Sequence, residues 1–377
     1  MAADARDLSG VSPTRAGWPF WRRYPNLAQP RLGARVVRCN DQFFGAAERL
    51  LQPQDPIFVP GRYDEHGKWM DGWETRRRRE PGSDHCTIEL GAPARLFGLD
   101  IDTAHFNGNQ PESAIVWGAL CDHCPDDDSD AWFELLPRVP LGPDSRHRHE
   151  LDGLRPVSHL RLEIFPDGGV ARLRAYGVAR RDWPATSTPF DVDDAGGGEE
   201  TDGGGDLVDL VALENGGEVV SASDEHFGAA TNLILPGRGV DMGDGWETRR
   251  RRGPGFDWAL LALGCPGRID RVVVDTAHFK GNYPHSCVLR AARLSASEAR
   301  RLAAADQQQC DAESSAWPEL VERCLLRPDA EHDLSADSSP ALLATEGPVT
   351  HVRLEMHPDG GISRLRLFGR PCPETGG

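Results

Sequence analysis

Two blocks of mixed polar residues occur twice in this chain, and their residue types could bind a small anion and move a proton. The block Asp71–Arg79, Asp-Gly-Trp-Glu-Thr-Arg-Arg-Arg-Arg, recurs unchanged at 244–252. The block Asp102–Asn109 recurs with a single difference at 275–282. A shared fold does not require such identity at polar positions, so the repeated blocks predict a site in a duplicated module.

The first block could bind a carboxylate. In an extended strand, Glu74, Arg76 and Arg78 share one face. Paired guanidinium groups hold a carboxylate in bidentate fashion and stay charged, so we predict an anion clamp at Arg76 and Arg78, and at Arg249 and Arg251. The alternative is a solvated edge strand whose charge discourages aggregation. Arginine supplies 40 of the 42 basic residues, so the prediction rests on the identical flanks rather than on the Arg run.

The second block offers a proton-transfer group and an amide at the end of an apolar strand, where binding residues commonly lie. A histidine titrates near neutral pH, the preceding aspartate could orient its ring, and an asparagine amide matches urea-like groups in donors and acceptors. The alternative is a turn in which Asp and Asn bind their own backbone. The candidates are His105, Asp102 and Asn109, with His278, Asp275 and Asn282 in the second copy.

Other candidates are weaker. Histidines matched between the copies at His147/His332 and His159/His351 favour surface or strand positions over catalysis. Cys121-Asp122-His123-Cys124 resembles half of a zinc site, but the second copy lacks both cysteines and no second Cys-x-x-Cys occurs, so structural zinc is disfavoured.

The composition indicates a soluble globular protein. The formal net charge of −17 disfavours nucleic acid and anionic membranes as partners. We find neither a signal-peptide core nor an apolar run of the ~18 residues that a membrane span needs. Nine cysteines, an odd number scattered along the chain, indicate reduced thiols and a cytoplasmic location.

The matched blocks define the domain organisation. Residues 1–30 form a polar leader with an aromatic cluster expected to dock on the body, and the first copy spans 31–180. Residues 181–206 are rich in Gly and acidic residues and predict a flexible linker, followed by the second copy at 207–370. The offset between matched blocks varies from 173 to 192, so loops differ in length while elements persist.

The periodicity is that of strands. Apolar residues alternate in 96–102 and again in 160–164, and Pro-Asp-Gly-Gly at 166–169 and 358–361 reads as a hairpin turn. The pattern predicts an all-β chain of two tandem antiparallel jelly-roll β-sandwich domains, of the galactose-binding-like kind. A helix is expected at 295–305 in the second copy only.

These motifs resemble those of the allantoicase family. The resemblance rests on Asp-Gly-Trp-Glu-Thr-Arg-Arg-Arg and Asp-Thr-Ala-His-Phe-x-Gly-Asn, each present twice, with the Asp-x-x-Phe-Gly block and the closing Pro-Asp-Gly-Gly segment, over 31–370. It implies two β-sandwich repeats, a homo-oligomer, and hydrolysis of allantoate to ureidoglycolate and urea in purine (allantoin) degradation.

The reaction that the resemblance implies leads to a hypothesis for the roles of the candidates. The arginines would hold the substrate carboxylate and the asparagine a ureido arm, while His105 or His278 would act as the acid and Glu74 or Glu247 as the base. A divalent metal such as Mn²⁺ stays an alternative, because His, Asp and Glu can ligate metals, although no close His pair is present. Each copy carries the full set, so two sites or one shared site are both open.

Two rival functions stay open. A non-catalytic sandwich could bind a small anionic or sugar ligand, since fold does not fix function. An oligomeric scaffold could use the Arg segments in salt bridges. The polar identity between the copies favours the enzyme, because a lectin-like module would rather repeat aromatic platforms.

Overall fold

The computed structural model describes residues 17–183, 207–335, 342–343, 345 and 347–373. The chain divides into two compact units, one spanning Pro19–Arg181 and the other formed mainly by the chain from Asp182 onward. We call these units repeat 1 and repeat 2. Most of the predicted linker and the first sixteen residues of the predicted leader lie outside the described residues.

Repeat 1 is built from antiparallel strands. They are β1 (Arg35–Cys39), β2 (Tyr63–Asp64), β3 (Gly67–Lys68), β4 (Trp73–Glu74), β5 (Asp84–Asp102), β6 (Ser113–Ala119), β7 (Phe133–Pro140), β8 (Arg146–Glu150), β9 (Val157–Phe165), β10 (Gly169–Val170) and β11 (Arg172–Ala179). Short helical segments precede the strands or connect them: α1 (Phe20–Arg23) and 3₁₀ turns at Pro30–Leu32 and Ala47–Leu51.

Repeat 2 follows the same order. Its strands are β12 (Val208–Asp209), β13 (Glu218–Ala222), β14 (Trp246–Glu247), β15 (Asp257–Asp275), β16 (Ser286–Ala292), β17 (Glu319–Leu325), β18 (Glu331–Ser335), β19 (Val349–His357), β20 (Gly361–Ile362) and β21 (Arg364–Pro371). Its helices are α2 (Ala296–Ala304) and α3 (Gln307–Ser314), with 3₁₀ turns at Leu213–Asn215, Ala230–Ile234 and Met242–Asp244.

One long strand organises each repeat. The first half of β5 pairs with β1 and β9, and its second half pairs with β8 and β11. The register with β9 breaks between Glu89 and Ala94, around Pro93, which has no N–H to donate to a ladder. In β15 the matching break falls between Ala262 and Gly267, beside Pro266. The strand therefore bends and serves both halves of the repeat.

Antiparallel strands with buried apolar faces confirm the predicted fold class, two jelly-roll β-sandwich repeats. In β5 the side chains of Leu96, Leu99 and Ile101 are buried, and in β15 those of Val272 and Val274 are buried too. The predicted helix in the second copy is also confirmed, since Ser295 caps α2 through a capping box with Glu298.

Two local predictions are wrong. The segments at 166–169 and 358–361 are not hairpin turns. In repeat 1, β10 pairs with β4 while β9 and β11 pair with different halves of β5, and in repeat 2 β20 pairs with β14 while β19 and β21 pair with different halves of β15. Gly168 has a φ of 137°, and the turn carries the chain across from one half to the other. The expected strand at 74–79 ends at Glu74, because the following arginines donate their amides to carboxylates rather than to a ladder.

The described part of the leader packs on repeat 1, as the aromatic cluster predicted. Phe20 is buried, its ring lies 5.6 Å from Tyr176, and Tyr24 stacks on Phe97 at 4.4 Å. In the described part of the chain, no helix has the length and apolar character that crossing a membrane requires.

Candidate active site

The two repeated polar blocks meet because glycines let their backbones approach one aromatic ring. Strand β4 pairs with β10, and buried Phe106 packs against both Gly72 and Gly169. A Cβ on Gly169 would lie 1.9 Å from Cε1 of Phe106, so only glycine fits there. Gly361 and Phe279 repeat this contact in repeat 2, where the distance would be 2.0 Å.

A carboxylate–amide pair lies where the blocks meet. Asn109 Nδ2 donates to Glu74 Oε1 at 2.8 Å, and Asn282 Nδ2 donates to Glu247 Oε1 at 2.6 Å. Burial raises the pKa of Glu74 above its usual value, while the Asn109 hydrogen bond and the charge of Lys68 oppose the rise. A carboxylate with a raised pKa, oriented by an amide, is suited to accept a proton from water.

The two histidines share an uncommon backbone conformation. His105 has a φ of 69° and His278 a φ of 70°, the left-handed region that non-glycine residues rarely occupy. The amide of each donates at 2.7 Å to an aspartate carboxylate, Asp144 in repeat 1 and Asp329 in repeat 2. The same strained turn is thus held in both repeats by a carboxylate that sequence reasoning did not single out.

The ring of each histidine faces a backbone carbonyl. His105 Nε2 lies 3.1 Å from Pro56 O, and His278 Nε2 lies 2.8 Å from Gly239 O. A carbonyl oxygen only accepts, so Nε2 carries a proton in this arrangement, and Nδ1 is the unprotonated nitrogen when the ring is neutral.

The aspartates do not orient the histidine rings. Asp102 accepts the Ala104 amide at 2.9 Å and pairs with Arg174 at 3.3 Å. Asp275 likewise accepts the Ala277 amide at 2.8 Å and pairs with Arg238 at 3.1 Å. These carboxylates cap the turn that precedes the histidine, so their contacts support a positioning role in place of the predicted ring contact.

The structure does not bring the predicted arginine clamp together. Arg76 Nε binds Asp41 Oδ2 at 2.6 Å, whereas Arg78 Nη1 binds buried Asp84 at 2.7 Å. In repeat 2, Arg249 binds Asp224 at 2.8 Å and Arg251 binds Asp257. Each guanidinium already faces its own carboxylate, and neighbouring arginines turn to different partners.

A hairpin that sequence reasoning missed lies beside the repeat 1 site. Residues 52–70 connect Leu51 to the first block and contain β2 and β3, while repeat 2 has only 235–243 at this place. The hairpin segment supplies Pro56, which His105 contacts, and Phe58, whose ring lies 5.9 Å from that of His105. The signal was available, because the offset between copies falls from 183 to 173 across this segment.

The described residues offer no ready metal site. No group of three or more His, Cys, Asp or Glu side chains among them is placed to hold an ion. The donor set that Mn²⁺ would need is therefore not assembled around Glu74 or Glu247, whose nearest partners are amides. In repeat 2 an open cavity of about 590 Å³ lies between His278 and the segment 241–243 and could admit a small polar molecule.

The fold and the repeated carboxylate–amide pair define a class of protein, a tandem β-sandwich with a small polar site in each repeat. The Allantoicase repeat model matches residues 25–180 and 208–372. The chain belongs to the allantoicase family.

Named relatives agree with this assignment. The chain is 46% identical over 350 residues to "Probable allantoicase 2" of Burkholderia pseudomallei, covering 93% of this chain and 96% of the relative. It is 48% identical over 353 residues to "Probable allantoicase" of Pseudomonas aeruginosa, covering 94% and 97%. The crystal structure of allantoicase from Saccharomyces cerevisiae superposes with a TM-score of 0.68 at 32% identity, covering 93% of this chain and 94% of that one.

Proposed function

We propose that this protein hydrolyses allantoate to ureidoglycolate and urea, as an allantoicase of purine degradation. The observation that carries the proposal is the Glu–Asn pair, Glu74–Asn109 and Glu247–Asn282, made from the two repeated blocks in a chain of this family. Allantoate carries a carboxylate and two ureido groups on one carbon, and the pair matches one ureido arm and one water molecule.

The reaction balances with one water molecule. The bond between the central carbon and one ureido nitrogen breaks, and the water oxygen bonds to that carbon. Glu74, with its raised pKa, accepts the water proton as general base, and the leaving nitrogen takes a proton to become urea. Asn109 is bound to Glu74 and can present its carbonyl oxygen to a ureido N–H.

The remaining candidates keep supporting roles in the proposal. The imidazolium form of His105 or His278 supplies the proton to the leaving nitrogen from Nδ1, and Asp102 and Asp275 hold the histidine turn. Arg76 and Arg249 pair with Asp41 and Asp224, and their side chains are 63% and 68% exposed. No step is assigned to a metal ion, since the donor groups are not clustered among the described residues.

The proposal also places the enzyme in the cytoplasm as a homo-oligomer without nucleic-acid or membrane partners. Its nine cysteines are all unpaired, which is typical of a reducing compartment. The net charge of −17 disfavours polyanionic partners.

The test is urea release from allantoate by the purified protein, with ureidoglycolate identified as the co-product, with and without EDTA. We expect turnover that EDTA changes by less than about twofold, and loss of at least ~10²-fold in the Glu74→Gln/Glu247→Gln double variant. The exposed Glu80→Gln is the matched control and should retain full activity.

Absence of urea would overturn the proposal and favour a ligand-binding module. Activity lost with EDTA and restored by Mn²⁺ would overturn the metal-free mechanism.

A further inference from the structure

We propose that Lys68 binds the carboxylate of the substrate, and that this contact belongs to repeat 1. The inference rests on the proposed function, since it names the residue that recognises the anionic group of the same substrate. It replaces the arginine clamp, whose members each face an aspartate already.

The geometry places Lys68 beside the candidate site. Lys68 ends β3 on the hairpin, and its Nζ lies 4.8 Å from the centre of the Phe58 ring. Phe58 lies 5.9 Å from the His105 ring, which donates to Pro56 of the same segment. The hairpin segment therefore carries an ammonium group, an aromatic face and the carbonyl that the His105 ring contacts.

Lys68 forms no ion pair among the described residues, and its charge opposes the rise in the pKa of Glu74. Among the cations that act on Glu74, Lys68 has the largest effect, ahead of Arg49. Arg49 is committed elsewhere, because its Nη1 donates to Met70 O at 2.8 Å. In the described part of the chain, Lys68 takes part in a cation–π contact with Phe58 and in no ion pair.

The composition makes this lysine informative. Lys68 and Lys280 are the only lysines among 42 basic residues, so arginine serves nearly every other cationic position. The two are not interchangeable: an ammonium is a compact point charge, while a guanidinium is a broad planar fork. A compact cation can lie on the Phe58 face and bind a small carboxylate at the same time.

Repeat 2 differs at this point. Asp241 occupies the position that corresponds to Lys68, and its carboxylate accepts the Asp244 amide at 3.1 Å. Lys280 lies beside His278 on the cavity wall, but its Nζ is 3.7 Å from Asp329 and its side chain is 78% exposed. Where repeat 1 has the cation Lys68, repeat 2 thus has the anion Asp241. The nearby Lys280 is already paired with the carboxylate of Asp329.

The test measures KM and kcat separately on the full-length protein with allantoate. Lys68→Met keeps a long unbranched side chain and removes the positive charge. Loss of one charge-assisted contact made equally in the ground and transition states is expected to raise KM about 10–100-fold, with kcat within about threefold. Lys68→Arg should recover most of the affinity, because it retains a cation at the site.

Three further variants make the result specific. Lys68→Gln should repeat the effect of Lys68→Met, and melting temperatures establish that both variants fold. Arg62→Met removes a cation from the same hairpin, where it stacks on Trp69 at 3.9 Å, and should leave KM unchanged. Lys280→Met should leave KM within about twofold.

The outcomes separate this inference from the function on which it rests. A wild-type protein that releases no urea overturns the proposed function. An active wild type with KM unchanged in folded Lys68→Met and Lys68→Gln overturns the role of Lys68. An equal rise of KM in Lys280→Met overturns the assignment of the contact to repeat 1.

Discussion

At the scale of single residues, the Glu74 carboxylate is held between two opposing influences. Burial raises the pKa of Glu74, and the N–H of Asn109 lowers it by binding the charged form. Asn109→Ala removes this hydrogen bond and leaves the burial and the charge of Lys68 in place, so the pKa of Glu74 should rise further. If Glu74 is the general base, the acidic limb of the kcat/KM profile moves to higher pH, because the base must be deprotonated. A pH–rate profile measures this shift.

Asn107→Ala, an exposed asparagine on the same turn, is the control for this prediction and should keep the wild-type profile. An acidic limb that does not move in Asn109→Ala would assign the titrating base to a different group.

Residue identities at the site could be predicted from the sequence more easily than their contacts. Glu74 and Asn109 can be singled out because each lies in a repeated block, unchanged around Glu74 and with one difference around Asn109, but their bond joins residues 35 positions apart. The orienting role predicted for Asp102 assumed that neighbours in sequence touch. The left-handed turn at His105 instead leaves the Asp102 carboxylate on the Ala104 amide and Arg174, and directs the ring to Pro56.

At the scale of elements, the contact between Gly169 and Phe106 couples β10 to the histidine turn. Gly169→Ala would force a methyl group to within 1.9 Å of the Phe106 ring, and over-packing of this kind costs roughly 1–3 kcal/mol. We expect a lower melting temperature together with a drop in kcat, because Phe106 follows His105 directly and the strain reaches the site. Thermal unfolding and steady-state kinetics on one preparation would measure both.

Gly142→Ala is the matched control. Its added Cβ would meet nothing closer than His147 Nε2 at 3.7 Å, an ordinary contact. A Gly169→Ala variant as stable and active as Gly142→Ala would contradict the proposed coupling between β10 and the histidine turn.

Alternation and duplication predicted the strands, because both are properties of short stretches of sequence. Which strands pair with each other was harder to predict. Pro-Asp-Gly-Gly has the composition of a hairpin turn, yet the strands that flank it pair with opposite ends of β5. The β2–β3 hairpin has no counterpart among the strands of the second copy, so the change in offset indicated an insertion at 52–70 but not its structure.

At the scale of the whole molecule, duplication has produced two candidate sites with the same Glu–Asn pair and different surroundings. Repeat 1 has the hairpin with Lys68, and repeat 2 has a shorter segment with Asp241. Duplication explains why the polar blocks are so similar, but this similarity does not indicate whether both repeats turn over substrate. The connecting segments, 52–70 in repeat 1 and 235–243 in repeat 2, differ in length and residues, and this difference predicts unequal activity.

The two repeats are therefore expected to differ in activity. Glu74→Gln keeps the shape of the side chain and removes the base, so kcat/KM should fall ~10²–10⁴-fold, whereas Glu247→Gln should change it by less than about twofold. Steady-state kinetics on each variant and on the double variant measure the contrast, with melting temperatures as the check on folding. Two equivalent and independent sites would instead give about half activity in each single variant, and one site built from both glutamates would lose activity in either. Only a loss of activity in Glu74→Gln without a loss in Glu247→Gln agrees with a substrate carboxylate held by Lys68. In that case repeat 1 alone binds the substrate, and Glu74 alone is needed as the base.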